Sequence, residues 1–174
     1  LTGFRIVQPV VLWPFPDRGY DLLPGLRRHR DWTSLRPRAM EATVASLTST
    51  YAVVVADTDV DLEGQAETGS LDIEDRNTAA RSFVAAADLV VVTSTPEVVG
   101  VHRLVRNLAD LLAFGVDPAR LLPVVNRAPR SPQRRAEVSR AVALLLGELA
   151  PGPATASPLM VAARRELASV QHEG

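Results

Sequence analysis

Three short apolar runs, each breaking abruptly into polar residues, constrain this chain more than anything else in it. They lie at residues 52–56 (AVVVA), 89–92 (LVVV) and 121–125 (LLPVV). All three carry valine, which is stiff at χ1 and packs well on a pleated surface, so each reads as a strand rather than a helix. None alternates apolar with polar, and a strand apolar on both sides belongs in a parallel sheet. Helical patterns separate the runs. Met40, Val44 and Leu47 precede the first, and the Ala-rich residues 78–87 follow it. Residues 98–114 follow the second run, with Val101, Leu104, Val105, Leu108, Leu111 and Leu112 along one stripe. A last long pattern runs from Ser131 and Pro132 to about Leu149. Alternation of this kind predicts βαβ units with right-handed crossovers. The expected fold class is therefore α/β, a mostly parallel sheet with helices on both faces over residues 1–150. A Pro/Ala/Ser/Gly linker at 151–158 and a short C-terminal helix at 159–170 complete the chain.

Local signals refine the boundaries. Residues 4–13 read as a strand that Pro9 confines to an edge, and residues 20–23 as a second short strand stopped by Pro24-Gly25. Residues 14–19 (PFPDRG) make the turn between them. Pro37 suits the first turn of a helix capped by Thr33 or Ser34. Residues 63–75 are polar and acidic and read as a long loop, with Asp75 or Asn77 capping the helix after it. Gly115 is placed to end the 98–114 helix.

Composition removes whole classes of function. The formal net charge is -1, which gives no global attraction for nucleic acid or an anionic membrane. There is no cysteine, so disulfides, thiolate catalysis and cysteine-ligated metals are excluded, and a cytoplasmic location is expected. All 19 basic residues are arginine, so no mechanism can use a lysine of this chain. No apolar run is long enough to cross a membrane as a helix. His29, His102 and His172 have no zinc-ligand spacing. The basic run Arg27-Arg28-His29-Arg30, with Arg36 and Arg38, suits a phosphate or an acidic partner, or equally a solvated loop relieved by Asp31.

Ligands of open α/β sheets bind at the carboxyl ends of the strands. Those ends here are Asp57-Thr58-Asp59, Thr93-Ser94-Thr95 and Asn126-Arg127. A carboxylate, a cluster of hydroxyls and a carboxamide form a set that could bind a nucleotide with Mg²⁺. Asp57 would hold the hard cation directly or through water. Asn126 would pair with an adenine edge through one donor and one acceptor. Each group also has an ordinary use, in an acidic loop, a helix cap or a turn. An EF-hand over Asp57, Asp59 and Asp61 fails, because its sixth position is Leu62 and its twelfth Thr68. The segment VVVADTDV also resembles the first motif of haloacid-dehalogenase-like phosphatases, with Asp57 as nucleophile, Asp59 as general acid and Thr93 in the second motif. That family's lysine has no counterpart here.

Residues 51–130 are most similar to the second half of MinD/ParA-type P-loop ATPases, and within them to CpaE-like proteins of actinobacteria. YAVVVADTD resembles the strand ending in that family's Walker B or switch II aspartate, with Asp57 in the role. ADLVVVTSTPEVVGVHRLVRNLADLL resembles the next strand, its Thr-x-Pro-Glu turn and the following helix. LLPVVNRAPR resembles the strand ending in Asn-Arg, and YDLLPGL an upstream strand ending in Leu-Pro-Gly. The resemblance implies ATP and Mg²⁺ as cofactors, with Asn126, Arg127, Thr93 and Thr95 at the nucleotide. It also implies a homodimer and a role in positioning a pilus assembly, septum or partition site. The glycine-rich phosphate loop and its lysines are missing. With Leu1 in place of Met, that points to a piece of a longer product whose hydrolysis needs an upstream part. The alternative is a non-catalytic scaffold with a degenerate nucleotide site.

Overall fold

Leucines and valines at helical spacing give residues 98–113 one continuous apolar stripe, and this stripe organises the packing. A computed structural model of the chain describes residues 12–26, 29–152 and 155–163. In it α4 (Val98–Ala113) buries Val101, Leu104, Val105, Leu108 and Leu111, and Leu108 is 0% exposed. The stripe packs against β3 (Val90–Ser94) and against α5 (Pro132–Leu149), whose Val142 and Leu146 close the same core. β4 (Leu121–Ala128) supplies Leu121 and Val125 to this core.

The sheet is parallel, with strand order β3–β4–β5, where β5 is Leu159–Ala162. Val92 stands opposite Pro123 and Thr93 opposite Val124, which in turn stands opposite Leu159. A register shift between Val125 and Ala128 bends the β4–β5 pairing. The α/β class expected from the sequence is present. Among the described residues, α4 and α5 pack together over one face of this sheet. Val91, Leu159 and Val161 alternate away from the core and are 49%, 53% and 42% exposed.

The amino-terminal part is a separate small sheet. β1 (Trp13–Phe15) pairs antiparallel with β2 (Tyr20–Leu22) across a 3-10 turn at Pro16–Arg18. Gly19 ends that turn at φ 68°, a left-handed conformation that suits glycine. Tyr51 Oη donates to Asp21 Oδ2 at 2.6 Å and joins β2 to the end of α1 (Pro37–Thr50). α1 packs along α3 (Leu71–Ala86) through the buried Val44. The residue capping α1 is Arg36, not Thr33 or Ser34, although Pro37 takes the first turn as expected.

Four expectations are corrected. Residues 52–56 form no strand: they run as exposed irregular chain, with Val53 77% and Val55 90% exposed. Among the described residues no strand pairs with them, and a valine run without a partner ladder lacks the pleated neighbour that strand propensity reflects. Residues 63–75 are largely helical rather than a loop. A short α2 (Gln65–Thr68) is followed by α3, which starts at Leu71 after Ser70, so Asp75 and Asn77 lie inside the helix. Acidic residues in a first turn complement the helix dipole, which is why Asp72 and Glu74 suit a helix start. Residues 159–162 are strand β5 rather than helix, because Leu159, Met160 and Val161 complete the second side of β4. The rest of the expected terminal helix lies outside the described residues, as do residues 4–11 of the expected first strand, Arg27, Arg28 and His172.

Arginines tie the layers together. The Arg120 guanidinium donates to the carbonyls of Val84, Ala85 and Ala87, which end α3 without helical partners. Arg81 donates to the Leu62 carbonyl and lies 4.9 Å from the centre of the Phe114 ring. Asn77 Nδ2 donates to the Glu63 carbonyl at 2.9 Å, and Arg76 pairs with Asp61 at 2.8 Å. These contacts hold residues 61–63 to α3 while leaving the stretch before them solvated.

A candidate ligand cleft at the carboxyl edge of the sheet

The turn after β3 is built tightly onto α4. Ser94 Oγ donates to the Gly100 carbonyl at 2.6 Å. A Cβ on Gly100 would stand 2.3 Å from the Thr95 carbonyl oxygen and 2.7 Å from Thr95 Oγ1, so only glycine lets the turn approach. The Thr95 hydroxyl hydrogen-bonds the Glu97 carboxylate. That bond and then Glu97's own backbone N–H hold its pKa below the ordinary carboxylate value; desolvation opposes them, and the Arg127 charge adds the smallest lowering. Stability from this arrangement is present above the ordinary carboxylate range and is lost as pH falls through the lowered value.

On the neighbouring strand, Arg127 sits at φ 55°, in the left-handed region that non-glycine residues seldom occupy. Asn126 supports it: its Oδ1 accepts from the Arg127 N–H at 2.8 Å. The chain then turns through Pro129 to Ser131, whose hydroxyl caps α5 by accepting from Arg134 N–H. Arg135 Nε donates to the Pro129 carbonyl at 2.6 Å and fixes that turn.

Between these turns lies an open cleft of about 510 Å³, lined by Pro96, Glu97, Arg127, Pro129, Arg134, Glu137 and Val138. Among the described residues, the guanidinium groups of Arg127 and Arg134 are in no ion pair within 4.0 Å. Two guanidinium groups and two carboxylates facing one cleft suit a polar, partly anionic ligand, with arginine supplying planar, bidentate donors.

The sequence-expected residues divide. Arg127 lines the cleft. Thr95 orders it from behind through Glu97. Asn126 is exposed next to it, but its carboxamide oxygen is engaged by the backbone, so the adenine-pairing edge is half used. Thr93 is exposed on β3 and does not line the cleft. Asp57 is exposed in the unpaired segment and is not among the lining residues. Neighbouring Asp59 accepts from the N–H groups of Val60 and Asp61, an acidic turn closed on itself. No group of three or more His, Asp or Glu side chains among the described residues could hold a metal ion. The cleft itself offers two carboxylates, Glu97 and Glu137, which is the number that Mg²⁺ usually takes from a protein beside nucleotide phosphates.

Glu97, Arg134 and Glu137 were not foreseen as a site. Their signal was present. Glu97 follows a strand end, while Arg134 and Glu137 lie one helical turn apart at the start of a helix announced by Ser131-Pro132. Gly100, an isolated glycine in the first turn of an apolar helix, also marked a close approach. Comparisons with family models, curated proteins and solved structures find no match.

Proposed function

We propose that this chain is the carboxyl-terminal part of a MinD/ParA/CpaE-like ATP-binding protein and that its cleft takes the nucleotide. The observation that carries the reading is the meeting of two strand ends at a cleft bearing two guanidinium groups that, among the described residues, are in no ion pair. That is where ligands of parallel sheets bind. Asn126, beside Arg127, offers its amide N–H groups and the remaining lone pair of its oxygen to a base edge. ATP would be the ligand and Mg²⁺ would arrive with its phosphates. Asp57 stands off the cleft, so no catalytic step is routed through it. Positioning a cellular structure from the cytoplasm as a homodimer belongs to the same reading.

Phosphoryl transfer is catalysed mainly by charge placed around the phosphates. This chain has no lysine to contribute, so by itself it should bind weakly and hydrolyse nothing. Titration with a fluorescent ATP analogue is expected to give saturable binding, weakened about tenfold or more by Arg127→Ala, as a lost charge-assisted hydrogen bond predicts. ATP hydrolysis is expected to match buffer. Binding unaffected by Arg127→Ala, Arg134→Ala and Asn126→Ala together would sink the nucleotide reading. The exposed, solvated Asp57 favours a second one: a scaffold that keeps the fold without using nucleotide.

A further inference from the structure

Strand β4 breaks its own alternation where it reaches the cleft. Leu121 and Val125 both lie in the core, 1% and 0% exposed, and side chains alternate along a strand, so the next inward position is 127. An arginine there would carry a guanidinium into a cluster of leucines and valines, with a heavy desolvation cost. One extra residue in β4 avoids this. Val125 pairs with Met160 and Ala128 with Ala162, a step of three on β4 against two on β5. Ala128, 2% exposed, takes the inward position instead, and Asn126 and Arg127 are both exposed. This is a β-bulge, which is rare between parallel strands, and bulges beside ligand sites re-aim side chains.

The bulge strains the backbone. Among the described residues, Arg127 at φ 55° is the one non-glycine residue with a positive φ. Glycine is the residue that a left-handed bulge position ordinarily takes. Here Asn126 compensates, because its Oδ1 accepts the Arg127 N–H at 2.8 Å where the strand ladder is interrupted. Strained residues persist where their surroundings hold them, and they cluster at ligand clamps. What this one delivers is an arginine lining the cleft, with its charge felt by Glu97. We infer that Asn126 is a positioning residue: its carboxamide oxygen holds Arg127 in the left-handed bulge, so that the Arg127 guanidinium anchors the phosphates of the ligand. This role presupposes that the cleft takes nucleotide phosphates, and it involves no contact with the base.

Inorganic triphosphate, which has no base, is therefore the probe. Its binding to the full chain with Mg²⁺ present is measured by calorimetry, beside that of an ATP analogue, and each variant is checked for native circular dichroism. Asn126→Ala should weaken triphosphate binding about tenfold or more, as Arg127→Ala does, since both remove the same charge-assisted contact. In the Arg127→Ala chain the further change Asn126→Ala should alter binding by less than about twofold, because a residue that acts through Arg127 has nothing left to position. Arg127→Gly keeps the bulge without its strain, so it should raise the urea midpoint of unfolding and still lose triphosphate. Triphosphate binding unmoved by Asn126→Ala, an equal loss with and without Arg127, or a urea midpoint not raised by Arg127→Gly would overturn the positioning role and leave the nucleotide reading standing. An analogue bound by a chain with no affinity for triphosphate would do the same. A wild-type chain that binds neither overturns both.

Discussion

Residues 53–56 and 89–92 are nearly the same four letters, VVVA against LVVV, yet one is solvated chain and the other is a strand. Val55 is 90% exposed and Val92 only 6%. Propensity does not separate them, because both runs are β-branched and apolar. Neighbours do. β3 has β4 beside it in parallel register and α4 across its face, whereas among the described residues no strand pairs with residues 53–56. Strand formation is settled by what lies alongside, since β-propensity is mostly fit to a half-buried pleated surface. The substitutions below press on each side of this contrast.

The largest effect is expected where the second run meets its helix. Leu108 is 0% exposed and lies in the core formed by β3, β4, α4 and α5. Leu108→Ala should cost about 2–5 kcal/mol of unfolding free energy, the range for a large core side chain that leaves a cavity. Urea unfolding followed by circular dichroism measures it. A loss below about 1 kcal/mol would mean that the α4–sheet core is loosely packed and that the contrast is weaker than the burial suggests.

A smaller effect is expected at the hinge between strand and helix. Gly100→Ala places a methyl group against the Thr95 backbone, which is neither flexible nor free to move while Ser94 holds the Gly100 carbonyl. Overpacking of that kind costs about 1–3 kcal/mol. It should also displace Glu97 from Thr95, so the Glu97 pKa should rise back toward its ordinary value, readable by carboxyl NMR titration. Lost stability with an unmoved Glu97 would separate the turn from the cleft.

Much of the packed half was legible because its signals agreed. The α4 stripe, the Ser131 cap with Pro132 after it, and the glycine at 115 each point to the same boundaries. Gly115 lies at φ 96°, and Val116 N–H returns to the Leu111 carbonyl at 3.0 Å, as a helix ending in a left-handed residue requires. The rest was hidden for physical reasons. Residues 159–162 carry too few letters to tell a strand from a helix, and only the free side of β4 decides between them. α3 begins among Asp72, Glu74 and Asp75, whose charge reads as loop by composition although it favours a helix start. At the cleft, Arg127 and Thr95 were readable from strand ends. Asp57 was not placed there, because its position depended on a strand at 52–56 that found no neighbour.

The smallest expected effect is the sharpest probe of that difference. Val55→Asp replaces a side chain already in water, so stability should change by no more than about 0.5 kcal/mol, the usual range for a surface site. The amides of residues 53–55 should exchange with solvent as fast as an unfolded peptide, while those of Val91 and Val125 are protected. Were Val55→Asp instead to cost as much as Leu108→Ala, the run would have to be buried in a sheet in solution. Asp57 would then end a strand at the carboxyl edge of the sheet, the side on which Thr95 and Arg127 lie.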